Sequence, residues 1–329
     1  MDLRVLASVV AIAACAPATP RAAAEGPKLS IPIACEVGRT CEVQHYVDRD
    51  PGPGARDYQC KARTYDKHSG VDIRVRDMAA QRRGVDVLAA APGRVARLRD
   101  GKPDISARAV DAPSVKGQEC GNGVVIDHGD GWETQYCHLA QGSVRVKQGD
   151  VVQAGTPIGR VGLSGETEYP HVHMTVRHNG KVVDPFSPTG PAEACGSKTS
   201  MWTPQAARAL AYKDGVIFNA GFAGAPVTIE EVEDARIAPV TREAPVIAVY
   251  MLVIGPQKGD VLQIGLRDPS GRERPPRSLA PLDRDKSQAF AALQRAAPPG
   301  GWPAGKYVAE LTVLRGGKPA LTRTIEMTL

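Results

Sequence analysis

The chain has 329 residues, 42% hydrophobic and 23% charged, an ordinary globular composition that argues against a disordered polymer and leaves room for two packed domains. Its 41 Lys and Arg against 36 Asp and Glu give a net charge of +5, a mild excess spread along the sequence. With no basic recognition helix and no basic patch interleaved with aromatics, nucleic acid is a poor partner.

Residues 1–24 read as an export signal. Arg4 precedes an apolar run from Val5 to Ala14, which has signal-peptide length and is too short to span a bilayer. Two cleavage readings compete. Ala22, Ala23 and Ala24 before Glu25 suit an ordinary signal peptidase, whereas Ile12-Ala13-Ala14-Cys15 resembles a lipobox in which Cys15 would be lipidated. The box lacks the usual Leu, which favours a soluble product in the periplasm or cell envelope, touching membrane only if Cys15 carries lipid.

Cysteines stand at 15, 35, 41, 60, 120, 137 and 195, and either cleavage reading takes Cys15 out of the count. Six cysteines in an oxidising compartment suggest three disulfides, with 15 conceivable pairings. Cys35 and Cys41 are near enough to close a small loop. Cys120 and Cys137 flank a predicted hairpin and could bridge its strands, which leaves Cys60 with Cys195. No C-x-x-C pair occurs, so a cysteine zinc site is not expected.

Residues 25–63 form an N-terminal disulfide-bearing segment that looks irregular, with a turn cluster at Pro51-Gly52-Pro53-Gly54. Residues 64–186 alternate short β-rich runs with glycine turns. The runs include 84–88, 93–98, 123–128, 133–138, 151–152 and 158–161, and Asp130-Gly131 between the third and fourth is a strong hairpin signal. The polar, aperiodic stretch 99–118 reads as a surface loop. Residues 187–213 are read as a linker and a short helix from Pro204 to Tyr212. In 214–329, separated strands at 227–229, 246–251, 261–266, 306–311 and 322–327 suggest a small β-sandwich, immunoglobulin-like in plan, with a helix added at 283–296. The fold class is therefore mainly β, an antiparallel domain followed by a sandwich. No catalytic grouping stands out in the second half, which reads as a binding or stabilising module.

Chemistry gathers in three short segments: His68-Ser69-Gly70-Val71-Asp72, Tyr136-Cys137-His138-Leu139 and His171-Val172-His173. Catalytic zinc commonly takes three nitrogen or oxygen ligands and keeps one position open. His68 and Asp72 offer an imidazole and a carboxylate close together. On a strand, His171 and His173 point to one face, so one can bind metal while the other acts on substrate. Each piece alone is weak; a lone H-x-H arises by chance, and a lone histidine more often bonds a backbone carbonyl.

The ordered set is more specific. Gly121-Asn122-Gly123-Val124-Val125-Ile126-Asp127-His128-Gly129 precedes Tyr136 to Leu139; Gly149-Asp150-Val151-Val152 and 155–162 follow; then come His171 to His173 and Val183-Asp184-Pro185. With His68 to Asp72 at its head, this series resembles the lysostaphin-type (LytM-like) peptidoglycan zinc metalloendopeptidases over residues 64–186. The resemblance implies Zn2+ held by His68, Asp72 and His173, with His138 and His171 as the non-ligand catalytic pair. It implies hydrolysis of the peptide cross-links of bacterial cell wall by a monomer whose partners are peptidoglycan peptide stems. A metal would polarise the scissile carbonyl and acidify water, while the free imidazoles move protons.

Tyr136 is read either as a groove residue or as a packed strand tyrosine. His128 matches a hairpin position with no ligand role, and His45 and His178 have no evident partner. Departures from the family pattern are Cys137 in place of a small residue, the acidic approach Glu166-Thr167-Glu168-Tyr169-Pro170, and the long 99–118 loop. They bear on substrate choice. Two other readings are carried: an adaptor that activates another wall hydrolase, against which all five key residues are present, and a zinc peptidase acting on protein.

Overall fold

The computed structural model describes residues 26–109, 114–189, 194–197, 199–271 and 275–329, and it is built mainly from antiparallel sheets. The export signal with Cys15 lies outside the described residues, as does 190–193 of the expected linker. In the first half the strands are β1 (Cys41–His45), β2 (Val71–Val75), β3 (Asp86–Leu88), β4 (Gly93–Arg99), β5 (Asn122–Gly129), β6 (Trp132–Leu139), β7 (Val151–Val152), β8 (Pro157–Arg160), β9 (His171–His178) and β10 (Lys181–Val183), with helix α1 (Met78–Arg83) between β2 and β3. Eight of them make one sheet in the order β1-β2-β9-β6-β5-β4-β7, with β10 also beside β9, while β3 pairs with β8.

Local chemistry explains the framework. Asp130 and Gly131 both take positive φ (47° and 79°), the conformation that a tight hairpin turn between β5 and β6 requires. Apolar residues spaced by two, such as Val124 with Ile126 and Val172 with Met174 and Val176, fall fully buried into one core. The N-terminal segment is part of this unit. Its Tyr46 and Tyr58 pack with Phe186 and Tyr212 at ring separations of 5.0–5.6 Å, and Cys60 bonds Cys195 across 135 residues of chain. The pairs Cys35–Cys41 and Cys120–Cys137 are also bonded.

Helix α2 (Pro204–Ala209) starts at Thr203, whose side chain accepts from Ala206 N. Beyond it run β11 (Val216–Ala223), helix α3 (Ile229–Glu233), β12 (Val246–Ile254), β13 (Val261–Arg267), β14 (Arg277–Ser278), β15 (Gln288–Ala296), β16 (Lys306–Arg315) and β17 (Lys318–Thr328). They form sheets β11-β12-β15 and β14-β13-β16-β17. Ile247, Val249, Met251 and Leu293 of one share a buried core with Leu262, Ile264, Ala309 and Leu311 of the other.

Four local readings change. Strand β1 occupies part of the segment expected to be irregular; its Cys-Glu-Val-Gln-His alternation is short, and all five residues are buried. The expected strand at 227–229 gives way to α3, because Thr228 and Glu231 form a reciprocal capping box. The expected helix at 283–296 is instead strand β15: its alanines favour helix locally, but pairing with β12 along its whole length decides the outcome. Strand β11 was not foreseen.

Candidate metal centre

Register places four side chains in one row across the first sheet. His45 stands opposite Asp72, Asp72 opposite His173, and His173 opposite Cys137. Residues directly opposite on antiparallel strands share a face, and His171 joins them by its two-residue offset from His173. His68 arrives from the loop before β2. The glycine between His68 and Asp72 is required by contact, because a Cβ on Gly70 would sit 2.6 Å from His173 Nε2.

His68 Nε2 lies 3.2 Å from His173 Nδ1 and 3.2 Å from Asp72 Oδ2, and His173 Nδ1 lies 2.8 Å from Asp72 Oδ1. Tetrahedral ligation with bonds of about 2.0–2.1 Å sets donor atoms about 3.3 Å apart, so this triangle nearly has the size that zinc demands. The remaining ring nitrogens are committed elsewhere. His68 Nδ1 donates to the Tyr46 carbonyl at 2.7 Å, and His173 Nε2 lies 3.0 Å from the Thr175 hydroxyl, which can accept from it or donate to it. The carbonyl fixes the His68 tautomer and leaves its Nε2 bare, the state in which imidazole ligates metal, while Thr175 holds the His173 ring with Nδ1 facing Asp72. Two imidazoles, one carboxylate and an open side thus fit a catalytic zinc ion. Among the described residues this trio also stands out as a cluster able to hold a metal.

His138 and His171 flank the triangle with ring centroids 4.7 Å apart. His138 Nδ1 donates to the Ser164 carbonyl at 2.8 Å, and His171 Nδ1 donates to the Tyr169 carbonyl at 2.9 Å, with Thr167 Oγ1 at 3.1 Å. Both therefore present Nε2 towards the centre; that of His171 is 3.5 Å from Asp72 Oδ1. His138 takes a positive φ of 62°, a costly conformation for a residue with a Cβ. It is held there by the bond from its own N–H to the Cys120 carbonyl at 2.9 Å and by the adjoining Cys120–Cys137 disulfide.

Burial, together with the His171 and His173 rings, holds the His138 imidazole well below its ordinary pKa, so the ring is neutral and able to accept a proton. Burial alone would push the Asp72 carboxyl up. The His68 and His171 rings and the hydrogen bonds from His171 and His173 outweigh it and keep the group ionised, well below the usual carboxylate range. In front of these residues a groove of about 330 Å3 opens, edged by Tyr65, Lys67, Glu119, Gln135, Glu166 and Arg177.

The fold thus brings His68, Asp72, His138, His171 and His173 together. Tyr136 is not in the groove: it is fully buried, and its hydroxyl accepts from Ala90 N at 2.7 Å and from Thr134 at 3.0 Å. His128 bridges the Pro92 carbonyl and Thr134 within the hairpin, and His178 stacks on Trp132 at 4.2 Å. His45 has a partner after all, since its Nδ1 lies 3.0 Å from Asp72 Oδ2. The signal that could have found it is the strand alternation of Cys41–His45, which sets His45 at a strand end.

Residues 66–185 match the model of peptidase family M23. Over 72 residues the chain is 38% identical to the cell division protein DipM of Caulobacter vibrioides, covering 22% of this chain and 12% of that protein. It is 43% identical over 72 residues to the DD-carboxypeptidase/endopeptidase Mpg of Neisseria meningitidis, covering 20% and 15%. It is 35% identical over 81 residues to the peptidoglycan DD-endopeptidase ShyA of Vibrio cholerae, covering 25% and 18%. The matched stretch therefore spans less than a fifth of the length of each of these relatives.

Proposed function

We propose that this protein is an exported zinc metalloendopeptidase that hydrolyses the peptide cross-links of bacterial peptidoglycan. The observation that carries the reading is the convergence of His68 Nε2, His173 Nδ1 and the Asp72 carboxylate, 2.8–3.2 Å from one another, with the His68 ring held by the Tyr46 carbonyl. Zinc bound there would supply Lewis acidity, polarising a carbonyl and lowering the pKa of water. The chain's own residues do the rest. His138 and His171, each tethered through Nδ1, offer Nε2 to take a proton from the attacking water and return one to the leaving amine. The groove mixes Lys67 and Arg177 with Glu119 and Glu166, which suits a peptide bearing both charges. Residues 64–186 are proposed as the catalytic domain and 214–329 as an accessory module, with 25–63 joined to the former by β1 pairing with β2 and tied to the linker by Cys60–Cys195.

The test is elemental zinc in purified mature protein, wild type against His173→Ala, alongside digestion of purified peptidoglycan and of a protein substrate. About one zinc per chain, lost with the substitution together with muropeptide release, supports the reading. Bound zinc with protein cleavage alone assigns a different substrate. No zinc in fresh wild type replaces the enzyme with an adaptor.

A further inference from the structure

The Asp72 carboxylate is served from behind by residues of both halves of the chain. A β-bulge in β1 between Val43 and His45 sets this up: without the extra residue, Gln44 would stand opposite Asp72, and with it His45 does. His45 Nδ1 then lies 3.0 Å from Asp72 Oδ2, and its Nε2 lies 2.7 Å from the Ser287 hydroxyl, 242 residues away. Ser287 is exposed as a residue, but its Oγ turns inward and also receives Gln44 Nε2 at 2.9 Å. Gln44 Oε1 in turn accepts from Arg74 Nη1 at 2.9 Å.

The direction of every bond in this chain follows from its two ends. A guanidinium only donates and a carboxylate only accepts. Arg74 therefore fixes the Gln44 amide with its oxygen towards Nη1 and its NH2 towards Ser287. With one lone pair of Oγ taken by Gln44, the Ser287 O–H is free to donate to His45 Nε2. His45 is then protonated at Nδ1 and donates to Asp72 Oδ2; a bare Nδ1 would set a lone pair against the carboxylate. Tyr169, whose hydroxyl lies 3.2 Å from the same Nδ1, closes the space beside it. Arg74 itself is fully buried, stacked between the Tyr169 and Phe218 rings and bonded to Gln288 and Glu233 of the C-terminal half.

We propose that His45 and Ser287 are positioning residues for Asp72, so that the C-terminal unit completes the outer shell of the metal centre. The proposal rests on the reading of Asp72 as a ligand. Partners at this remove typically tune metal affinity by about 10–100-fold. They act by holding the carboxylate in one rotamer and by withdrawing one lone pair of Oδ2.

The experiment uses the full chain. Zinc affinity is measured by chelator competition for wild type, Ser287→Ala and Ser287→Thr, with the melting temperature of each metal-free form, and the His45 ring nitrogens of wild type are read by 15N NMR. The expected result is weakening of about tenfold or more in Ser287→Ala, recovery in Ser287→Thr, similar melting temperatures, and an Nδ1-protonated His45. Wild-type affinity in Ser287→Ala overturns the proposal. So does equal weakening in both variants with equal loss of melting temperature, which marks a packing defect. The NMR reading stands even if a variant fails to fold or the metal reading fails: a neutral His45 ring protonated at Nε2 overturns the relay by itself.

Discussion

The two halves of this molecule use the same antiparallel grammar for opposite ends. In the C-terminal sheets the facing residues are aliphatic, and their shared core of Ile247, Val249, Ile264 and Leu311 does nothing but exclude water. In the first sheet one row of inward positions is instead polar: His45, Asp72, His173 and their neighbours His68, His138 and His171 are all buried or nearly so. Burying such groups costs free energy unless each one is hydrogen-bonded. Here each ring nitrogen turned away from the metal point meets a carbonyl or a hydroxyl. A sheet that spends its interior on polar groups is a site, and a sheet that does not is support.

That contrast can be broken by substitution. The largest effect is expected for His138→Ala, which on the proposed reading removes a proton-transfer group but no ligand: bound zinc should stay at the wild-type level while kcat falls by about 10²–10⁴. Zinc lost along with activity would make His138 a ligand. Leu311→Ala asks the complementary question in the other core. It should cost about 2–5 kcal/mol in a denaturant titration, and the surviving folded protein should keep its zinc. A stability change under 1 kcal/mol would mean that the shared core is not as closed as described.

The pH dependence of stability sharpens the comparison at Asp184, just past β10. Burial raises this carboxyl to about 6, and its Oδ2 has no hydrogen-bond partner. The folded state then holds a proton that the unfolded chain has released above about pH 3.9. Stability from this group is full below that pH and is lost as pH rises through 6, at up to about 1.4 kcal/mol per pH unit. Asp184→Asn should flatten that part of the profile between pH 4 and 6; an unchanged slope would assign it to another group. The smallest effect belongs to the surface. Arg97 and Glu133 pair at 3.2 Å in the open, and Arg97→Ala should cost under about 1 kcal/mol with no change in zinc.

The clustering of His68, Asp72 and His173 with the flanking His138 and His171 was legible because its signals are local. His-x-x-x-Asp and His-x-His each lie within five residues, strand periodicity puts 171 and 173 on one face, and Asp130-Gly131 dictates the hairpin. Four strands of the C-terminal half were legible for the same reason, from the β-rich runs 246–251, 261–266, 306–311 and 322–327. Local signals misled where they were ambiguous. An alanine-rich run favours helix on propensity, and only its partner β12 makes it the strand β15.

By itself, then, the sequence determined which side chains can ligate, where the β-rich runs lie and that Cys35 and Cys41 are close enough to pair. Only the tertiary structure decided what stands behind those atoms. His45 backs Asp72, Ser287 backs His45, and Gln44, Arg74 and Glu233 extend the chain of bonds across up to 242 residues of sequence, and nothing in the spacing of such residues marks them as neighbours. The physical reason is that ligand geometry follows from the short repeat of a strand, whereas an outer shell is assembled by whichever surfaces the packed sheets bring into contact.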